Sequence, residues 1–169
     1  MKLLAATLAF AAALAFTAIT GTAHAASQSD VAEVAAMVTD TTVPVLVRHS
    51  LFVNGEFEGT EIVFIQDGMR YTLYNSGQRI SPRDPNSAWL AVWMRPEGTQ
   101  GVASLVTFSD SAFDGDVDEG VIGRGGRVYY SSDVDPNIAA QGAQYRADYQ
   151  RRYDEAIAAA LRYKRDHEH

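Results

Sequence analysis

The chain predicts an α+β fold: an antiparallel sheet of five to six strands with a short N-terminal helix and a long C-terminal helix packed on one face. Three observations carry this. Asn54-Gly55 and Asp67-Gly68 are two-residue hairpin turns set between runs rich in β-branched residues. The strands they connect place their apolar residues at alternate positions. Apolar residues at helical spacing flank this strand-rich middle on both sides.

Each element follows in order. Val31, Val34, Ala35 and Val38 recur at i, i+3, i+4 and i+7, with Asp30 and Glu33 spaced as a capping box and Asp30 as the cap. Residues 43–54, 60–66 and 69–74 are the first three strands. The Asn54-Gly55 turn sets Arg48 opposite Glu61, Val47 opposite Ile62 and Val45 opposite Phe64. The Asp67-Gly68 turn sets Phe64 opposite Tyr71 and Ile62 opposite Leu73. Both registers put Val45, Val47, Ile62, Phe64, Tyr71 and Leu73 on one face, with residues 56–59 the place where a longer loop shifts the first pairing. Residues 88–94 fit a buried strand or a helix, and the turn at Pro96-Glu97-Gly98 followed by the run 102–108 favours a hairpin. A polar loop rich in Gly and Asp spans 109–126, with a short strand at Val121-Ile122, and a last strand spans 127–131. Asp135-Pro136 opens the long helix as N-cap and N1. Its stripe includes Tyr145, Tyr149, Tyr153, Ala156 and Ala160, and the pairs Asp148–Arg152 and Arg151–Glu155 stand at i, i+4.

Ahead of this domain lies a different kind of segment. Lys2 precedes an apolar run at 3–19, and Ala23-His24-Ala25 places small residues where a signal peptidase reads them. A membrane span needs about 20 apolar residues, and the run at 3–19 is short of that and rich in Ala. The expected organisation is a signal peptide at 1–25, one α+β domain at 26–165 and a disordered tail at 166–169. Removing the leader from a chain of 169 residues leaves 144, the size of one domain, with periplasmic or secreted location and no membrane insertion after cleavage.

Composition narrows the chemistry. Cys is absent, which excludes disulfides, thiolate catalysis, Cys-ligated zinc and iron–sulfur clusters. The net charge of −7 becomes −8 once Lys2 leaves, which argues against nucleic acid and anionic membranes as partners.

The candidate sites are few. His49 lies between Val47 and Leu51, and the expected registers set Thr60 opposite it and Asn75 beyond, a polar row suited to a ligand or to acid–base work. Trp89 and Trp93 are the aromatic residues best placed to line a binding patch. Asp114, Asp116 and Asp118 alternate as in the opening of a calcium loop, with Glu119 as a further oxygen ligand. That pattern departs from an EF-hand, because Glu119 stands where the turn Gly belongs and Gly125 where the bidentate Glu belongs. Gly123-Arg124-Gly125-Gly126-Arg127 lacks the Lys-Ser/Thr of a phosphate loop, and His167 and His169 form no enforced metal geometry.

The leading expectation is a non-catalytic binding or adaptor module for a small ligand or an envelope protein. An acid–base or hydrolase-like enzyme using His49, and a module stabilised by calcium on loop 114–119, are the alternatives.

Overall fold

Helix α1, Gln28–Thr39, begins earlier than expected because Ser27 is the cap. The Asp30 amide donates to Ser27 Oγ at 3.2 Å, and the Ser27 amide donates back to Asp30 Oδ2 at 2.9 Å. Asp30 is thus the third residue of the box, where a short acceptor reaches the cap backbone. The expected stripe of Val31, Val34, Ala35 and Val38 is buried, together with Met37. These features belong to a computed structural model that describes residues 25–53, 55–76, 90–100, 106–122, 128–131 and 136–168. The leader at 1–24, Trp89, Asp135, His169 and the Gly-rich stretch 123–127 lie outside the described residues.

Among the described residues seven strands follow in chain order, each antiparallel to the next: β1 Val47–Val53, β2 Glu56–Gln66, β3 Met69–Asn75, β4 Leu90–Pro96, β5 Val106–Asp110, β6 Glu119–Ile122 and β7 Val128–Tyr130. The ambiguous run at 88–94 resolves as strand β4, and Val121-Ile122 ends β6. Asp67 and Gly68 have φ of 51° and 72°, the left-handed pair of a type I′ turn. The β2–β3 register accordingly matches the expectation, with Phe64 opposite Tyr71 and Ile62 opposite Leu73.

The first hairpin departs from its expected register. A bulge between Leu51 and Phe52 moves every pairing above it by one residue, so Val47 faces Val63, Arg48 faces Ile62 and His49 faces Glu61. A one-residue slip exchanges the two faces of a strand. Val47 therefore turns outward and is 41% exposed, while Arg48 turns inward. Its guanidinium donates to the carbonyls of Met37, Val38 and Val43, closing the C-terminal end of α1. Beside the bulge, Gly59 lies under Tyr74, and a Cβ there would lie 2.7 Å from the Tyr74 ring, so only glycine fits at this position.

The C-terminal helix is interrupted. Helix α2, Pro136–Gly142, ends in a 3₁₀ turn at Ala143–Tyr145, and α3 runs from Arg146 to His167. Gly142 supplies the weak point, since glycine favours the helix least after proline. Both expected ion pairs form on α3: Arg152 Nε to Asp148 at 3.1 Å and Arg151 Nη1 to Glu155 at 2.6 Å. Helix α3 continues through His167, past the point at Asp166 where a loose end was expected. Tyr163 stacks on His167 at 4.1 Å.

α1 and α3 lie together on one face and share a single apolar cluster with Ile62, Phe64, Tyr71, Leu73, Leu90, Val92 and Phe108. Tyr149 and Tyr153 are fully buried and meet Phe108 edge-on at 6.0 and 6.3 Å. Polar clamps fix the helix ends. Tyr163 donates to the Pro44 carbonyl at 2.9 Å, Lys164 pairs with Glu33 at 2.8 Å and Arg162 pairs with Asp67 at 2.9 Å. No helix among the described residues is long and apolar enough to cross a membrane.

Asp110 ends β5 on the helix side and is completely buried. It accepts from the Tyr153 hydroxyl at 2.9 Å and from the amides of Gly115 and Asp114 at 3.0 and 3.3 Å. Burial pushes its carboxyl above the ordinary value, against the pull of those donors. The folded chain thus keeps this proton at pH values where the unfolded chain has lost it. Stability contributed by the site is present below the ordinary carboxylate value and declines as pH rises through the raised one. The thermal midpoint of the natural chain relative to Asp110→Asn should fall across that window and level off above it; parallel curves would contradict the assignment. Tyr153→Phe removes the hydroxyl donor and should cost about 1–3 kcal/mol in chemical denaturation at neutral pH.

Candidate functional site

α1 and α3 pack on one face of the sheet, and the groove lies on the other, where Val63, Tyr74, Ala91 and Ser109 are buried. Alternation assigns its members. One outward row crosses Val47, Val63, Thr72, Trp93 and Thr107 on successive strands, and the next row crosses His49, Glu61, Tyr74, Ala91 and Ser109. On the other side of the Trp93 row, Arg70 and Arg95 stand directly opposite each other on β3 and β4.

These rows enclose a groove of about 290 Å³ lined by Glu61, Val63, Arg70, Thr72, Trp93 and Arg95. The volume sits at the lower edge of the range for small-molecule sites, which begins near 300 Å³. Val63 is buried and forms an apolar floor, while Thr72, Trp93 and both arginines are half-buried. Glu61 and the Arg70–Arg95 row are four strand positions apart, roughly 13 Å at about 3.3 Å per residue. The groove therefore has a cationic end, an amphipathic middle and an acidic end.

The arginine pair is the unusual part. Cβ atoms of directly opposed residues lie about 5 Å apart, so two guanidinium groups share one short stretch of surface. No carboxylate pairs with either arginine among the described residues. Among the described residues, Arg151, Arg152, Arg162 and Lys164 hold carboxylates and Arg48 donates to backbone carbonyls, while the exposed Arg165 on α3 is, like the pair, without a carboxylate. Two planar donor forks side by side are the geometry that grips a carboxylate or phosphoryl group.

The expected polar row of His49, Thr60 and Asn75 does not assemble. Thr60 and Asn75 do pair across β2–β3 at the edge of the core face, as expected, where Asn75 Nδ2 donates to the Ala35 carbonyl at 2.9 Å. The bulge sends His49 to the opposite face, where its Nε2 lies 3.6 Å from Glu61 Oε1. Of the expected ligand residues, Trp93 lines the groove, His49 borders it through Glu61, and Trp89 lies outside the described residues.

Two carboxylates of loop 114–119, those of Asp114 and Asp118, accept hydrogen bonds from nearby backbone amides. Asp114 accepts from the Asp116 amide at 2.9 Å, and Asp118 accepts from the Ser111 amide at 2.8 Å and the Ser131 hydroxyl at 3.0 Å. Asp116 reaches toward Arg146 at 4.0 Å, and Glu119 lies in β6 opposite Ser109. Among the described residues, no three His, Asp or Glu side chains gather as a metal-holding group.

Arg70 and Arg95 were missed from sequence because their pairing depends on the β3–β4 register, which no two-residue turn sets. The available signal was partial: Arg95 lies two positions from Trp93 and Arg70 alternates with Tyr71. No family model, curated protein or solved structure matches the chain.

Directly opposed like charges destabilise a sheet by about 0.2–1 kcal/mol. Arg95→Glu converts the pair to an attractive one and should raise stability by an amount in that range in denaturant titration. A loss of stability would show that the two guanidinium groups already have a structural role.

Proposed function

We propose that this chain is an exported binding module that captures a small organic anion in the groove on the outer face of its sheet. The Arg70–Arg95 pair, unmatched by any carboxylate among the described residues, is the observation that carries this reading. The pair takes a carboxylate or phosphoryl group in bidentate hydrogen bonds, and the body of the ligand lies along Thr72 and Val63 against Trp93. Glu61 at the far end disfavours a second negative group, so the preferred ligand has one anionic end and an apolar or ring-bearing body. An energetically costly arrangement in the free protein is relieved by the ligand, as expected where a site trades stability for function.

A second reading uses the same groove as a reaction centre. The His49–Glu61 contact of 3.6 Å resembles an imidazole oriented by a carboxylate, and the arginines would stabilise developing negative charge. His49→Ala separates the two: it leaves a binding module intact and removes turnover from an enzyme.

Benzoate, inorganic phosphate and benzyl alcohol test the proposal by calorimetry at low salt. Benzoate should bind saturably and more tightly than phosphate, and benzyl alcohol should not bind. Arg70→Ala and Arg95→Glu should each weaken benzoate by about tenfold or more, equivalent to about 1.4 kcal/mol. Failure of benzoate to bind, or binding indifferent to both arginines, would refute the anion site.

A further inference from the structure

Asp154 lies on α3, and its side chain is buried to 7% exposure. Its Oδ1 accepts from Gln150 Nε2 at 2.9 Å and from the backbone nitrogen of Ala26 at 3.1 Å. No Lys, Arg or His pairs with it among the described residues. A buried carboxylate without a cation is costly, and such groups are ordinarily paired.

The nitrogen that reaches Asp154 belongs to the residue that follows the expected cleavage site, Ala23-His24-Ala25. In the uncut chain this nitrogen is a neutral amide with one proton to donate. After cleavage between Ala25 and Ala26 it is an ammonium group with three protons and a full positive charge. We infer that Asp154 is a built-in receptor for the α-ammonium group of the processed chain, which supplies the missing counter-charge. The inference rests on the reading of residues 1–25 as a leader and is independent of the anion groove.

The surroundings hold Ala26 in place. Gly115 has φ of 98°, and a Cβ there would collide with the Ala26 carbonyl, so the loop admits the first residue only because position 115 is glycine. Gln150 bridges the parts: its Nε2 donates to the Gly115 carbonyl at 2.7 Å as well as to Asp154, and its Oε1 accepts from the Val117 amide at 2.9 Å. Gly115 in turn donates to the buried Asp110. Ala26 also packs against the apolar core, and Ser27 immediately after it caps α1. The chain terminus created by processing is thereby joined to α1, loop 111–118 and α3 at one point.

The chain has two lysines, Lys2 in the leader and Lys164, so the processed form carries two amines. The pairing of Lys164 with Glu33 and Glu168 raises its pKa, so an acylating reagent at mildly acidic pH selects the α-amine. The full-length chain is exported and recovered, and its intact mass should place the start at Ala26. In the folded protein α-amine acylation should be at least about tenfold slower than in denaturant, since a paired ammonium must be released first. Acetylation under denaturing conditions followed by refolding keeps one donor proton but removes the charge. It should lower the thermal midpoint by about 2–4 °C. Asp154→Asn should erase this difference; if that variant does not fold, the acylation ratio decides alone. A start at another residue, acylation as fast as in denaturant, or a midpoint loss on acetylation that persists in Asp154→Asn would each overturn the inference.

Discussion

A side chain on this sheet has two destinations, and the period of the strand decides between them. One face is covered by α1 and α3 and closes around Phe64, Leu73, Val92 and Phe108. The other face keeps Arg70, Arg95, Trp93 and Glu61 within one groove. This packing separates the residues of the apolar cluster from those that line the groove, and on the groove side Val63, Tyr74, Ala91 and Ser109 are buried as well. The bulge after Leu51 shows how tightly the constraint acts: a shift of one residue takes Arg48 inward to cap α1 and puts His49 outward beside Glu61.

Much of the architecture was legible from local chemistry. The Asp67-Gly68 turn set the β2–β3 register correctly, since a type I′ turn leaves no freedom in the pairing it closes. The tyrosine stripe of α3 and its i, i+4 ion pairs followed from helical spacing alone. The α1 cap was misplaced by one turn because Ser27 and Asp30 form the same box as Asp30 and Glu33 would, and only packing distinguishes them. The bulge had a signal in Gly59, a glycine inside a strand, whose meaning depends on the Tyr74 ring lying over it. The arginine pair had almost none. Strand registers joined by a long connection are set by the packed core, and the core is a property of the whole chain.

The polar interior has a logic of its own. Asp110, Asp118, Gln150 and Asp154 each accept or donate across elements distant in sequence, from Ala26 to Tyr153 and from Ser111 to Ser131. Loop 111–118 is therefore held by side-chain hydrogen bonds where regular secondary structure would otherwise satisfy the backbone. Asp114 and Asp118 take part in this bracing. In the outward groove, by contrast, Arg70 and Arg95 have no carboxylate partner among the described residues.

The most direct test is residue-resolved. Amide and indole NMR shifts recorded while benzoate is added should move at Val63, Arg70, Thr72, Trp93 and Arg95, and stay fixed on α1 and α3. Shifts centred on the helices or on β1, or no shifts at all, would contradict the assignment of the outer sheet face as the binding surface.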